Sequence, residues 1–305
     1  MIRNQPMDPL VSIIVPTYKR PDMLGRALDS LVGQTYGNIE IIVISDNDPD
    51  SDYAAETNRV MEGYLGDSRV RFMTTSGHTG GGFARNVACR EAHGDYLAFL
   101  DDDDEFLPDK VETQLDYMLK EGLDFCWQDV AWYNERGKLV EHRRLDHCHD
   151  FSKNGLLRAH LLTPICPTST YMLKKSLFDR TDGFGEVIAG QDWWLILRCI
   201  EADARFGYMP EVHVRQYLHS GERLSTGQNK IEGENARYSA TRRYLHLLDK
   251  AEIRYTKFRH NAVLAFASAR GRLPVKSIRY AFGAFFSSPR LCVRKGIEFF
   301  TEGKQ

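Results

Sequence analysis

The 305-residue sequence has no uncharged apolar run near the roughly 18 to 20 residues that a membrane span requires. Its six cysteines, Cys89, Cys126, Cys148, Cys166, Cys199 and Cys292, are far apart and include no Cys-x-x-Cys pair. That spacing argues against a disulfide scaffold or a standard zinc site and for a reducing compartment. The opening MIRNQPMDPL carries no apolar core of a secretory signal. Net charge is only −2 and hydrophobic content is 42%, so wholly disordered, low-complexity and collagen-like classes are excluded. What remains is a globular chain, expected in the cytoplasm, long enough for one large domain with an appendage or for two domains.

The small net charge hides a division. Residues 1–235 hold 25 Lys+Arg against 38 Asp+Glu, whereas residues 236–305 hold 15 against 4. An acidic body is followed by a basic tail.

Within the body, short continuous apolar runs at 11–15, 39–44, 70–73 and 96–100 read as buried strands. Helical spacing separates them: Leu24, Ala27, Leu28 and Leu31, then a stretch reaching about Leu65, then 83–92 behind a glycine cluster. Four strands alternating with helices over about 100 residues predict a parallel, doubly wound α/β sheet. The less regular second half predicts a helix at 108–120, a strand at 125–133 and a polar loop at 134–150. It adds a helix at 191–202, strands at 205–209 and 212–218, and helices beyond Glu234 broken at 271–274 and 287–289.

In such a sheet, ligands bind beyond the carboxyl ends of the strands. Four consecutive aspartates, Asp101 to Asp104, stand at one of those ends. Adjacent carboxylates repel, so clustering them favours a cation, and all-oxygen ligands suit Mg²⁺ or Mn²⁺. A plainer alternative is a solvated turn whose Asp104 and Glu105 cap the next helix. His142, His147, Cys148 and His149 are too closely spaced to converge easily on one zinc ion, and read as a polar loop.

The ordered motifs VSIIVPTYKR, IEIIVISDND, GGFARN, GDYLAFLDDDDEFLPDK and GQDWWLILR resemble the family 2 glycosyltransferases of the GT-A fold, over roughly residues 10–225. The resemblance implies a nucleotide-sugar donor, a hydroxyl acceptor on a glycan or lipid-linked glycan, an inverting transfer, and Mn²⁺ or Mg²⁺. It divides the chain into a catalytic body at 1–235, with a nucleotide-binding half at about 10–105 and an acceptor half at about 106–235, and a basic helical region at 236–305. It places Pro16, Thr17 and Tyr18 in the first nucleotide-binding loop, Asp46 on the base, Arg85 beside the diphosphate, Asp101 and Asp102 at the nucleotide, and Asp103 with Asp101 on the metal. A carboxylate at the base favours uridine. Asp192 matches the family's general base, although Gln191 replaces the glutamate that usually precedes it, and His219 is a partial match to an extra metal or diphosphate contact.

Other readings compete. Arg85 is also placed to pair with the acidic cluster as a structural ion pair, and Asp192 to serve as a helix-start carboxylate. A dinucleotide-dependent oxidoreductase should carry its glycine fingerprint after the first strand, where Pro16-Thr17-Tyr18 stands instead. A catalytically silent sugar-nucleotide-binding protein is the closer rival. For the tail, packing on the acidic body competes with peripheral contact to an anionic membrane face. No nucleic-acid motif accompanies its charge, so nucleic acid is not an expected partner.

Overall fold

The structure is a computed structural model and describes residues 8–187, 189–218 and 227–294. Strands β1 (Val11–Thr17), β2 (Ile39–Ser45), β3 (Val70–Thr74) and β4 (Tyr96–Phe99) alternate with helices α1 (Pro21–Val32), α2 (Asp52–Glu62) and α3 (Gly81–Glu91). Then come β5 (Glu105–Phe106), α4 (Lys110–Glu121), β6 (Phe125–Asn134), β7 (Leu139–Arg143), α5 (Lys153–Leu162), β8 (Tyr171–Lys174), α6 (Lys175–Phe178), α7 (Gln191–Glu201) and β9 (Phe206–Leu218). Three further helices follow, α8 (Gly227–Thr241), α9 (Lys250–Arg270) and α10 (Pro274–Ser287).

The strands form one sheet in the order β3-β2-β1-β4-β8-β6-β9-β5, with β7 added beside β6. From β3 to β4 every pairing is parallel. β8 then runs antiparallel to both β4 and β6, which turns the remainder mixed. The parallel run is apolar without alternation because both of its faces are covered: every residue of β2 is buried, Glu40 included. α1 shows how the covering works. Pro21 occupies its first turn, where a missing N–H costs nothing, and Leu24, Ala27, Leu28 and Leu31 form one buried stripe. Burying each such leucine contributes about 1.5–3 kcal/mol.

The structure departs from the sequence expectations in three places. The two strands expected at 205–209 and 212–218 are one strand, β9. Gln128 of β6 pairs with Met209 and Asp129 with Val212, so Pro210 and Glu211 bulge out, which is where a proline lacking an N–H is tolerated in a sheet. The loop expected at 134–150 contains β7, an edge strand with four exposed residues and hence no apolar signal. α5, capped by Ser152 on Gly155 N–H, was not expected at all.

The basic region is helical as expected, starting already at Gly227. Asp249 and Glu252 form a capping box that starts α9. α10 packs chiefly on α9, and Ile231, Leu264 and Ala267 make a small second core between α8 and that pair. Gly233 of α8 lies so close to the Ala189 carbonyl that an added Cβ would sit 2.1 Å from it. No side chain fits there.

Candidate active site

A cleft of about 330 Å³ opens at the carboxyl ends of β1, β2 and β4, closed on the far side by the start of α7 and the end of β9. Pro16, Thr17, Tyr18, Asp46, Arg85 and Asp101 to Asp104 all line it.

The aspartate run leaves the buried end of β4 in a tight turn, closed by the Asp104 N–H on the Asp101 carbonyl at 3.1 Å. One oxygen each from Asp101, Asp103 and Asp104 lies within 4.8 Å of the others. The Asp102 carboxylate is engaged elsewhere, accepting from Tyr18 N–H at 3.4 Å and from Arg20 at 2.9 Å. Burial pushes its pKa up, the Arg20 charge opposes this, and Asp103 adds to the rise, bringing it to about 7. Asp104 is raised well above the usual carboxylate range by burial and by its neighbours Asp103 and Asp101. It does not cap the next helix: Asp109 holds that position, and Asp104 instead accepts from Tyr217 N–H at 3.2 Å, Gln216 Nε2 at 3.2 Å and Ser169 Oγ at 3.3 Å.

Arg20 was not anticipated. Its Nη1 bridges Asp102 and Asp103, at 2.9 and 2.6 Å. Arg85, buried on α3, donates to Asp101. Burial alone would lower the Arg85 pKa, but the Asp101 charge outweighs it, so this guanidinium is a fixed cation in the floor of the cleft. Its ion-pair reading and its place beside the cleft therefore coexist.

Asp46 lines the cleft, yet its carboxylate is spent on the fold. Oδ1 accepts from Thr75 Oγ1 at 2.7 Å and Thr79 Oγ1 at 2.6 Å, and Oδ2 from the N–H groups of Thr79 at 3.1 Å and Gly80 at 2.8 Å. A carboxylate offers about four lone-pair sites, and the loop between β3 and α3 uses them. The same loop stacks His78 on Tyr18, ring centroids 4.0 Å apart, a contact with no local sequence signal.

α7 begins behind Gly190, whose φ of +81° suits glycine. Gly190 and Gln191 line the cleft, and half-buried Asp192 stands one residue further on. Burial raises the Asp192 pKa, opposed by the Trp193 N–H and the Arg85 charge. Trp193, Ile196, Leu197 and Ile200 are buried and fix the helix. His219 lies outside the described residues. Among the described residues, the aspartates are the one cluster of acidic, histidine or cysteine side chains with metal-ligand proximity. His142, His147, Cys148 and His149 form none, and Cys148 is a buried free thiol.

These donors fit a hard divalent cation. They are all oxygens, and two of the four carboxylates hold protons more tightly than usual because burial and like-charged neighbours penalise their ionised forms.

The family model of Glycosyl transferase family 2 matches residues 12–181. The chain belongs to glycosyltransferase family 2. An uncharacterized glycosyltransferase of Methanocaldococcus jannaschii is 30% identical over 208 residues, 67% of this chain and 69% of that protein. The Escherichia coli protein named UDP-Glc:alpha-D-GlcNAc-diphosphoundecaprenol beta-1,3-glucosyltransferase WfgD is 33% identical over 143 residues, 46% of this chain and 54% of that one. An uncharacterized Haemophilus influenzae glycosyltransferase is 35% identical over 133 residues, 44% of this chain and 52% of its own length. The chain thus spans about half the length of two of these three curated relatives. Among solved structures, S. aureus TarS in complex with UDP-GlcNAc superposes with a TM-score of 0.63 at 15% identity, covering 90% of this chain and 91% of that one. A Pyrobaculum calidifontis mannosyltransferase with GDP-Man and Mn²⁺ gives 0.60 at 17% identity, covering 93% and 89%. At those identities the likeness establishes the GT-A fold of the family.

Proposed function

We propose that this family 2 member is a metal-dependent, inverting glycosyltransferase that moves a hexosyl or N-acetylhexosaminyl group from a nucleoside diphosphate sugar to a hydroxyl of a lipid-linked glycan. One observation carries this reading: the Asp101, Asp103 and Asp104 oxygens converge within 4.8 Å in a cleft whose opposite wall is the start of α7, the helix that carries Asp192. Asp101 and Asp103 would hold a divalent ion, which supplies neutralisation of the charge that builds on the departing diphosphate. Arg85 adds a fixed positive charge on the same side. Asp192 accepts the acceptor hydroxyl proton on a carboxylate oxygen, and its raised pKa makes it a stronger base than an exposed aspartate. A single displacement opposite the leaving group inverts the anomeric centre.

Uridine is favoured as the base because the name of WfgD specifies UDP-Glc and the TarS complex contains UDP-GlcNAc, although the archaeal neighbour holds GDP-Man. With Asp46 engaged by its own loop, the base rests on these relatives more than on that carboxylate. The lipid-linked acceptor is drawn from WfgD, and with it a place in polysaccharide synthesis at the cell envelope. Among the described residues no helix is long and apolar enough to cross a membrane. The chemistry is assigned to residues 1–235.

The test is a panel of UDP-sugars and GDP-mannose with Mn²⁺ or Mg²⁺. Nucleoside diphosphate release that requires the metal, and a product of opposite anomeric configuration by NMR, are expected. Binding of a nucleotide sugar without hydrolysis or transfer would leave the silent binder, and binding of NAD alone would overturn the family mechanism here.

A further inference from the structure

α10 is apolar nearly all round, and the described residues cover only one side of it. Its inner face, Ser277, Tyr280, Gly283, Ala284 and Ser287, is at least half-buried, and the helix packs chiefly on α9. On the side opposite, Val275, Ile278, Phe282, Phe285 and Phe286 fall within an arc of about 100° at the helical repeat. All five are exposed, Val275 at 80% and Phe286 at 77%. A helix with two apolar faces needs a second covering.

Charge selects the covering. From Ile253 to Arg294 the sequence holds nine Lys or Arg and no Asp or Glu. Lys276 and Arg279 lie exposed along one flank of the apolar arc, and Arg270 and Arg272 at the turn between the two helices are exposed as well. An acidic protein surface would satisfy the cations but leave protruding phenylalanines in contact with carboxylates. An anionic bilayer takes both: acyl chains receive the aromatic rings while headgroup phosphates meet the cations.

We propose that the α9–α10 hairpin is a docking surface for anionic phospholipid bilayers, with the Val275–Phe286 arc entering the headgroup boundary. This goes beyond the proposed chemistry and does not depend on it. The hairpin is joined to the cleft through α8, where Gly233 packs on the Ala189 carbonyl and Ala189 itself lines the cleft. Docking would therefore set the cleft at a fixed attitude to the lipid surface.

The test is sedimentation of the full chain with vesicles of phosphatidylcholine alone and of phosphatidylcholine with about one-third phosphatidylglycerol, at low and high salt. Binding to the anionic vesicles alone, weakened by salt, is expected. The double substitution Phe282→Ser with Phe286→Ser, and separately Lys276→Glu with Arg279→Glu, should each weaken it at least about tenfold. Melting temperatures within a few degrees of the parent would show both variants folded. Absence of binding at low salt, or binding unchanged in folded variants of both kinds, overturns the proposal. A dimer in vesicle-free buffer that Phe282→Ser with Phe286→Ser dissolves would also overturn it, assigning the face to a second copy of the chain.

Discussion

Beyond the end of β4 stand four aspartates, two of them buried and three of them converging, held by Arg20, Arg85 and the end of β9. Beyond the first turn of α9 and along α10, most cations are exposed, with no acid from Ile253 to Arg294. Charge in water costs little; charge crowded into a cleft costs a great deal unless a counter-charge arrives. On the readings proposed above, the first region would take a small cation and the second an extended anionic surface. A near-neutral total conceals two oppositely charged parts of the chain.

The sharpest way to break this contrast is Asp192→Asn. If the acidic cleft is catalytic, turnover falls by roughly 10² to 10⁴ while donor affinity, read by calorimetry, barely moves. Near-normal turnover would reduce Asp192 to a helix-start carboxylate. Asp103→Asn is expected to weaken metal-dependent nucleotide-sugar binding by roughly 100-fold, and unchanged Mn²⁺ titrations would remove the cluster from metal binding.

Glu234 probes the reverse case, an acid just before the basic region that is met by residues of it. It is 4% exposed and is met by Arg237 at 2.7 Å and His260 at 3.2 Å. Burial alone would raise its pKa, but the hydrogen bond from His260 and the Arg237 charge outweigh it and hold it low. Glu234→Ala should cost about 3 kcal/mol in urea unfolding, since the Arg237 guanidinium remains buried without it.

Lys110 is a fully buried cation whose ammonium lies 4.1 Å from the Phe106 ring centroid and has no hydrogen-bond partner. Burial lowers its pKa from 10.5 to about 7. Between those values the unfolded chain binds a proton that the folded chain does not, so stability rises with pH there and is lost as pH falls toward 7. The slope is at most about 1.4 kcal/mol per pH unit. Lys110→Met should stabilise the protein most below neutrality and remove that slope, which urea melts at about pH 7 and about pH 9 would show.

The parallel half was legible because a strand covered on both faces reads as a near-continuous apolar run, as 13–16 of β1 and 41–44 of β2 do. β7 was not, because an exposed edge strand has no such requirement. The aspartates announced themselves through mutual repulsion, and Asp192 through its family motif. Arg20, Ser169, Gln216 and Tyr217 stayed hidden. Each reaches the aspartates from 65 to 113 residues away in sequence, and only chain crossing brings them there. Asp46 was visible as a strand-end acid, but its capture by Thr75, Thr79 and Gly80 depends on how the glycine loop folds back.

The charge balance of the cleft couples the donor to its ion. Arg20 and Arg85 offset two of the four carboxylates, and the raised pKa values of Asp102 and Asp104 show that the remaining negative charge is unfavourable until a further cation arrives. A diphosphate approaching alone is repelled, whereas one approaching with its ion is not. Donor and ion should therefore tighten each other by the same factor, whichever is varied first, because the two affinities are linked through one thermodynamic cycle.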